Sequence, residues 1–517
     1  MPNTNSIALS TIGFIRYTWL GAGLLLLLIS LSLAGCAIQK PLTVTDRTDA
    51  RYNCRGLFAQ FDQVTTRLQA RDFQTVPVDG FPYLRVDRLL ATLAPDYHDE
   101  RKFAAWVNHL RELDQSARRF EYANLPTAVR SELEQGTPGR GDVLDDIAQC
   151  GESLRLAELK TDESRKMLVG QAKVPDNYRT TQRVIGLYPL SALVVRASVS
   201  QWQRRVRRLF ADSAAGKPPP LGAWLRYRPP GSPPVSESEV ADILQTSADP
   251  LGIPIPTTAQ LAALFNRYAP VWELDSVDDN DRPGRPYWGT QPWPQVDVTQ
   301  PVIYTHVSYT RFGGHVLLQL NYTLWFAARS AENRLDILAG KLDGIHWRVT
   351  LGADGRPLLY DSIHPCGCYH LFFPSGSLRP IERPGLYHEP ILVAQTAPSL
   401  SVAQRLRIRI SARSHYIQQI LVDDEAEYGK AYQFASYDML RSLPIGAGDE
   451  HRSLFAAQGL VPGTQRGERW ILWPMGIPSP GAMRQWGTHA TAFVGRRHFD
   501  EAFLIDRNFS VISVSNP

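Results

Sequence analysis

Two histidines and two cysteines lie close together in the segment IHPCGCYH, residues 363–370. The four side chains that could do chemistry there are His364, Cys366, Cys368 and His370. Imidazole and thiolate groups are the usual protein ligands of zinc and of copper, and a thiolate beside a histidine can act as a nucleophile. A redox dithiol and a plain tight turn are the other two states that this composition permits.

The spacing of the four residues limits the metal hypothesis. In an extended strand all four side chains would share one face, but His364 and His370 would lie about 20 Å apart at ~3.3 Å per residue. One metal ion cannot hold both, since its bonds to His and Cys are only about 2.0–2.3 Å long. The segment must therefore bend, and Pro365 and Gly367 suit a bend. Because C-x-C differs from the usual zinc spacing, we expect a turn, with or without a disulfide between its cysteines, and keep a zinc or copper site as the alternative.

A cysteine nucleophile is a further alternative. Cys366 or Cys368 would need a histidine base, and the candidates are His364, His370 and the distant His489. Such chemistry also requires a partly exposed thiolate and a group that orients the base. The sequence identifies neither of these, and it contains no nucleophile elbow, phosphate-binding glycine loop or H-E-x-x-H helix.

The residues before this cluster alternate with the period of β-strands. In HVLLQLNYTLWF, residues 315–326, every second residue is apolar, which predicts a long half-buried strand. Residues 345–363 contain two strand patterns around the Asp-Gly pair 354–355, which predicts a hairpin with a type I′ turn. In that register Arg348 opposes Asp361, so opposite charges meet across the two strands.

The whole chain divides by pattern into a helical part and a strand-rich part. Residues 45–215 carry apolar side chains at helical spacing, whereas residues 217–256 contain ten prolines, typical of a linker or surface strap. The sequence thus predicts an α+β protein with a helical domain over 36–216. A strand-rich, antiparallel, sandwich-like α+β domain is predicted to follow over 257–517.

Charge and local composition give further expectations. The chain has 55 Lys and Arg against 51 Asp and Glu, which leaves no clustered footprint for nucleic acid. The arginines of 201–210 are expected to form a solvated helix face rather than an anionic-lipid surface, and the acidic segment 275–281 lacks EF-hand spacing. We expect a helix over 425–443 and strands over 468–473 and 489–495.

The amino-terminal residues contain a predicted localisation signal. Arg16 is the only charge before an apolar run from Tyr17 to Gly35 that ends in LAGC, a pattern typical of a secretory signal peptide. LAGC resembles the lipobox of bacterial lipoproteins, and the resemblance covers only about the first 37 residues. It implies a signal peptide over 1–35, cleavage before Cys36 and lipidation of that cysteine, for example by palmitate. An uncleaved anchor helix is the alternative, since the run is long enough to span a bilayer.

The same resemblance predicts location and redox state. Ala37 after the lipidated cysteine favours the outer membrane, with the body outside the cytoplasm. That compartment is oxidising and permits disulfides. Cys54 and Cys150 are the two mature cysteines of the helical domain, so we expect them to pair.

These observations predict the cellular location of the protein more specifically than its activity. The expected protein is a lipid-anchored member of the cell envelope, most simply a non-enzymatic binding or structural lipoprotein of the outer membrane. Its expected partner is the membrane through the anchor, with no nucleic acid, no cofactor and an unspecified protein or envelope-polymer partner. The alternative is an envelope enzyme, metal-dependent or Cys/His-dependent, centred on residues 364–370.

Overall fold

Helices fill the first half of the chain and sheets the second half, so the protein is of the predicted mixed α+β class. The computed structural model describes residues 50–136, 142–217, 219–231, 235–423, 428–446 and 448–512. From Asn53 onward these residues form one compact unit. The predicted signal peptide and Cys36 lie outside the described residues. No helix within the described ranges is long and apolar enough to cross a membrane.

The helices begin where polar caps precede amphipathic runs. Asp87, Asp99, Asp142 and Thr161 each accept a hydrogen bond from a backbone N–H in the first helical turn, which satisfies one of the free donors at a helix start. The helices are α1 (Ala50–Arg67), α2 (Arg88–Thr92), α3 (Glu100–Ala123), α4 (Thr127–Gly136), α5 (Val143–Glu158), α6 (Asp162–Gln171), α7 (Thr180–Ile185), α8 (Tyr188–Ala214), α9 (Glu237–Thr246), α10 (Thr258–Tyr268), α11 (Arg469–Leu472) and α12 (Leu504–Asn508).

Most strands follow the long helix α8. They are β1 (Val76–Val78), β2 (Phe81–Val86), β3 (Ala223–Arg228), β4 (Val271–Ser276), β5 (Arg285–Tyr287), β6 (Gln295–Asp297), β7 (Val302–Phe312), β8 (His315–Arg329), β9 (Gly340–Leu351), β10 (Pro357–Ile363), β11 (Leu371–Pro374), β12 (Leu378–Pro380), β13 (Leu392–Val393), β14 (Arg405–Ile410), β15 (Ile417–Asp423), β16 (Lys430–Ala431), β17 (Gln433–Ser436), β18 (Leu443–Pro444), β19 (His451–Arg452) and β20 (Phe509–Val511).

Two mixed sheets dominate the strand-rich part. One has the order β13-β11-β10-β9-β8-β7-β17 and the other the order β15-β14-β4-β3-β16. The neighbours from β7 to β11 are antiparallel, whereas β13, β16 and β17 join parallel to their partners, and so does β14 to β4. Side chains from both sheets and from α8, α9 and α10 share one hydrophobic core, which holds the two sheets together.

The hairpin register agrees with the sequence pattern, but the turn does not. Arg348 pairs with Asp361, as expected, and the neighbouring pairs follow the same register. A type I′ turn would require a positive φ at both Asp354 and Gly355, yet of these two only Gly355 has one, at 77°. A register shift between Pro357 and Leu359 absorbs the extra loop residue, so the turn prediction is wrong while the pairing prediction holds.

Strand β8 is buried on both faces, whereas one solvated face was expected. Gln319, Asn321 and Thr323, on the polar side of the pattern, are each at most 2% exposed. The segment 437–505 covers that side, because the ring of its Trp486 lies 4.9 Å from the ring of His306 in β7. The polar face is therefore an internal hydrogen-bonded layer, in which Gln319 Nε2 donates to Thr350 Oγ1.

Several local expectations for the covering segment are wrong. Residues 428–443 contain the strands β16 and β17 followed by a 3₁₀-helix at Tyr437–Arg441, not a long helix. The expected strand 468–473 is the short helix α11, and residues 489–495 form no named strand. The proline-rich segment 217–256 holds β3 and α9, so its described part carries regular structure packed into the core.

Candidate functional site

The segment 364–370 is a closed turn between β10 and β11. His364 N–H donates to the carbonyl of Cys368 at 3.0 Å, and Gly367 N–H donates back to the carbonyl of His364 at 2.8 Å. Gly367 has a φ of 85°, and a Cβ there would lie 2.5 Å from the carbonyl oxygen of Ala490. Only glycine fits this close backbone approach. Tyr369 also has a left-handed φ, at 61°, a conformation that non-glycine residues adopt at a cost.

The two cysteines of the turn are buried thiols. Both are free and pack in a hydrophobic cluster with Trp325 and Ile363. Cys368 N–H donates to Cys366 Sγ at 3.3 Å. A hydrogen bond to Cys366, together with burial, raises the pKa of the Cys368 thiol well above its usual range. Nucleophilic chemistry needs an accessible thiolate, and this environment favours the opposite state.

His364 belongs to a buried ionic network beneath the turn. Its Nδ1 lies 3.1 Å from Asp343 Oδ1, while His415 Nδ1 lies 2.9 Å from Asp343 Oδ2 and Arg466 Nη2 lies 3.2 Å from Oδ1. Burial opposes the charged carboxylate, but His364 and Arg466 hold the pKa of Asp343 well below its usual range. Despite burial, the contacts with Asp281 and Asp343 raise the pKa of His415, which favours its protonated form.

His370 has a different carboxylate partner. Its Nε2 lies 2.9 Å from Asp361 Oδ2, and Arg348 holds the same carboxylate through Nε at 2.8 Å and Nη2 at 2.5 Å. Burial lowers the pKa of His370 to about 4. Burial opposes the charge on Asp361, yet Arg348 and His370 keep the pKa of its carboxyl below the usual value. His370 is therefore a neutral imidazole that donates from Nε2. No described residue forms a hydrogen bond with its buried Nδ1.

The turn does not bring the four candidate ligands to one point. His364 and His370 bond to different aspartates, Asp343 and Asp361, while the thiols lie in an apolar cluster. Among the described residues no three His, Cys, Asp or Glu side chains are placed to share a metal ion. A zinc or copper site at this turn stays a prediction from the sequence. His489, the distant candidate base, is buried and its ring lies 5.1 Å from that of His346.

The predicted disulfide partners of the helical region lie together. Cys54 in α1 and Cys150 in α5 form a disulfide with their Cα atoms 5.1 Å apart. The bond joins residues 96 positions apart in the sequence and lies in a hydrophobic cluster that includes Phe58 and Leu154. It lies in a different hydrophobic cluster from the turn.

A cavity of about 290 Å³ lies between the turn and α8. Its apolar wall includes Val195, Val199 and Trp202 from α8, with Leu472 and Phe493 from the covering segment. Tyr369 and His370 of the turn line it as well, so the motif that the sequence singled out borders a cavity. Its volume is at the lower end of the range of small-ligand pockets, about 300–1,000 Å³.

Aromatic rings and arginines shape the side of the cavity near the turn. Tyr369 lies with its ring centroid 5.5 Å from that of Trp202 and 4.7 Å from that of Tyr416. Arg329 packs on the Tyr416 ring at 5.0 Å and donates from Nη2 to the Tyr416 hydroxyl at 3.3 Å. Glu389, another lining residue, is already occupied: it accepts bonds from two backbone N–H groups and from Arg497.

Glu468 is a lining residue that no sequence pattern marked as functional. Glu468 is only 5% exposed, yet its carboxylate forms neither a hydrogen bond nor an ion pair with any described residue. Burial raises its pKa, against the opposing effects of Arg466 and Arg329. The indole Nε1–H of Trp202 is likewise buried without an acceptor. Unpaired buried polar atoms beside a cavity are where a ligand or water is expected.

Comparisons with protein-family models, with curated proteins and with solved structures gave no match. The geometry of the cavity and the amino-terminal sequence are therefore the features from which function is inferred.

Proposed function

We propose that the protein is a lipid-anchored bacterial envelope protein, of the outer membrane, whose body binds a small amphipathic ligand in the cavity beside α8. The proposed location rests on the signal-peptide pattern and on LAGC. The binding role rests on one observation above all: Glu468 lines the cavity, is only 5% exposed, and its carboxylate has no hydrogen bond or ion pair with any described residue. A ligand hydroxyl that donates to this carboxyl gains the net value of one hydrogen bond, about 0.5–1.5 kcal/mol.

The lining defines the chemistry of the ligand. Val195, Val199 and Phe493 offer apolar contact, which suits a small apolar or aromatic body. Glu468 can accept a hydrogen bond and the Trp202 indole can donate one. A hydroxyl group suits such a lining because it is donor and acceptor at once.

A neutral head group fits better than a cationic one. Arg329, Arg466 and Arg484 all lower the pKa of Glu468 through space, so their charges would also repel an ammonium group. The raised pKa of Glu468 shows that burial outweighs these charges, which makes the carboxyl ready to bind a neutral partner. The ligand class is accordingly a small neutral alcohol with an apolar body.

The second candidate is an enzyme that uses His370 as a base. The specific observation in its favour is the Asp361–His370 pair, in which a carboxylate orients a neutral imidazole whose Nδ1 is free. A base with a pKa of about 4 gives little driving force for proton abstraction near neutral pH. The binding role is therefore the first proposal.

The binding role is tested by saturation-transfer NMR on the full chain in detergent, with 2-phenylethanol as the probe. We expect transfer to the probe in the parent chain and its loss in Val199→Trp, which fills the cavity with a larger side chain. Glu468→Leu should weaken binding about tenfold, the value of one lost hydrogen bond of ~1.4 kcal/mol. Equal transfer in the parent and Val199→Trp chains would contradict a ligand in this cavity.

Two further arms separate ligand class and catalysis. The cationic analogue 2-phenylethylamine should bind more weakly than the alcohol, and tighter binding of the amine would contradict the neutral class. Hydrolysis of p-nitrophenyl acetate should proceed at one rate in the parent and in His370→Gln. An activity lost only in His370→Gln would make the enzyme the better proposal.

A further inference from the structure

A second feature of α8 lies on its outer side. Five apolar residues of α7 and the start of α8 are at least 64% exposed: Val184, Ile185, Leu187, Leu190 and Val194. Trp470 and Ile471 of α11 are 72% and 59% exposed. We call these seven residues the apolar face. A contiguous patch of exposed apolar residues is more often an interaction site than a part of the ordinary protein surface.

The two segments of the apolar face are neighbours. Leu472, the residue after Ile471, packs in one cluster with Ala192 and Val195 of α8. The bend between α7 and α8 also lies against the residues after α11, since a Cβ on Gly186 would lie 2.4 Å from Cβ of Pro474. The two parts of the apolar face therefore come from segments that pack against each other in the fold.

Helical spacing separates the outer stripe of α8 from its buried stripe. Ala192, Val195 and Val206 face inward and are at most 7% exposed, whereas Leu190 and Val194 are exposed one turn apart. Continuing the outer stripe by turns of three and four residues leads to the arginine-rich end of the helix. The stripe is apolar near the start of α8 and basic near its end.

The basic end of the stripe has no carboxylate partner within the part of the chain that the structure describes. Between positions 179 and 211 the chain has seven arginines and no acidic residue. Four of them have exposed side chains that form no ion pair or hydrogen bond with any described residue: Arg204, Arg205, Arg207 and Arg208. Arg205 also borders the cavity. The sequence favoured a plain solvated face here, but the adjoining apolar face changes that interpretation.

We propose that the apolar face and the four arginines together dock on the surface of an anionic lipid bilayer. Apolar side chains with an adjacent basic stripe are the pattern of interfacial membrane contact, and Trp470 has the residue type enriched at that interface. Clustered arginines are attracted to anionic head groups. This contact is separate from the lipid anchor and does not depend on the cavity ligand.

Charge argues against the other occupants of this surface. A symmetric contact with a second copy would place one set of arginines against the other, which like-charge repulsion opposes. The chain's own apolar run from Tyr17 to Gly35 contains no charged residue. It could cover the apolar face but would leave the arginines without partners. A bilayer with anionic lipids satisfies both parts of the surface.

The test uses the full chain in vesicles of 70% phosphatidylethanolamine and 30% phosphatidylglycerol. A single cysteine at Leu190→Cys is labelled with an environment-sensitive fluorophore, and Leu335→Cys is the matched control because Leu335 is 88% exposed in another part of the protein. Labelled parent chain gives the background from the native cysteines. Lipids that carry a nitroxide on the acyl chain should quench the label at 190 at least threefold more than the label at 335.

A second arm tests the charge. Replacing Arg204, Arg205, Arg207 and Arg208 by Gln, or replacing phosphatidylglycerol by phosphatidylcholine, should at least halve the quenching at 190. Equal quenching at 190 and 335 would overturn the proposal. A blue-shifted label at 190 without lipid quenching would show that protein covers the face, and quenching that ignores both charge changes would exclude a contact specific for anionic lipid.

Discussion

The carboxylate of Asp361 is the point at which the hairpin and the turn depend on each other. It is fully buried and accepts two hydrogen bonds from Arg348 and one from His370. Asp361→Asn keeps the shape but removes the charge, leaving a guanidinium that is 1% exposed without its counter-ion. Removing one partner of a buried pair costs about 3–5 kcal/mol, so we expect Asp361→Asn to lower the free energy of unfolding by that amount.

Equilibrium urea unfolding followed by tryptophan fluorescence measures this loss. With a slope of about 3–4 kcal/mol per M, a loss of ~4 kcal/mol lowers the midpoint by roughly 1 M. Arg356→Gln is the matched control in the same hairpin, because its pair with Glu237 has the arginine side chain 68% exposed. Such an exposed pair is screened by solvent and contributes little to stability, so the midpoint of this variant should change little.

A double variant separates the pair from the charge that is left behind. Arg348→Met with Asp361→Leu removes both charges and keeps apolar volume, and such replacements are often neutral. We expect the double variant to be more stable than Asp361→Asn, although Arg348 also donates to the carbonyl of Phe499. A single variant within 1 kcal/mol of the parent, or a double variant no more stable than the single, would refute the assignment of the cost to an uncompensated buried charge.

Three other predictions concern the remaining groups. Replacing Cys54 and Cys150 by Ala should cost about 4–5 kcal/mol, since chain entropy gives ~4.7 kcal/mol for a loop of about 100 residues and the bond spans 96; an unchanged urea midpoint would contradict this. His370→Gln keeps a donor for Asp361, and its deficit relative to the parent should shrink from pH 7 to pH 4. The reason is that the parent holds His370 neutral with a pKa of about 4 and so loses stability as pH falls below the unfolded value of ~6.5; a deficit that grows over that range would contradict the sign. Labelled palmitate should enter the parent chain but not Cys36→Ser, and equal labelling would contradict the lipoprotein assignment.

The sequence determined the features that depend on near neighbours. The period of two in β8 and the pattern around the Asp-Gly pair were enough for the strands and for the pairing of Arg348 with Asp361. Pairing follows from strand period and turn position, both of which are local. The turn type failed because the bulge at 357–359 depends on what packs against the loop: Gly355 lies against the backbone of α9, where a Cβ would be 2.5 Å from the carbonyl oxygen of Glu237.

Only the tertiary structure decided what the motif at 364–370 borders. Its four candidate residues divide among an ionic network, an apolar cluster and a carboxylate pair. The cavity beside them combines α8, the turn and α11, and Glu468 reaches it from about 100 positions away. No spacing in the sequence marks such a residue, because a lone glutamate has no local pattern that distinguishes a buried carboxylate from an exposed one.

Burial was the other property that the sequence could not supply. The polar side of β8 and the Arg348–Asp361 pair are internal because the segment 437–505 lies over them. The elements predicted at 425–443 and 468–473, which overlap this segment, were wrong. Those short strands and helices are held by packing rather than by their own propensity. The partner of a side chain across a hairpin is fixed by local register, whereas its exposure is fixed by residues more than a hundred positions away.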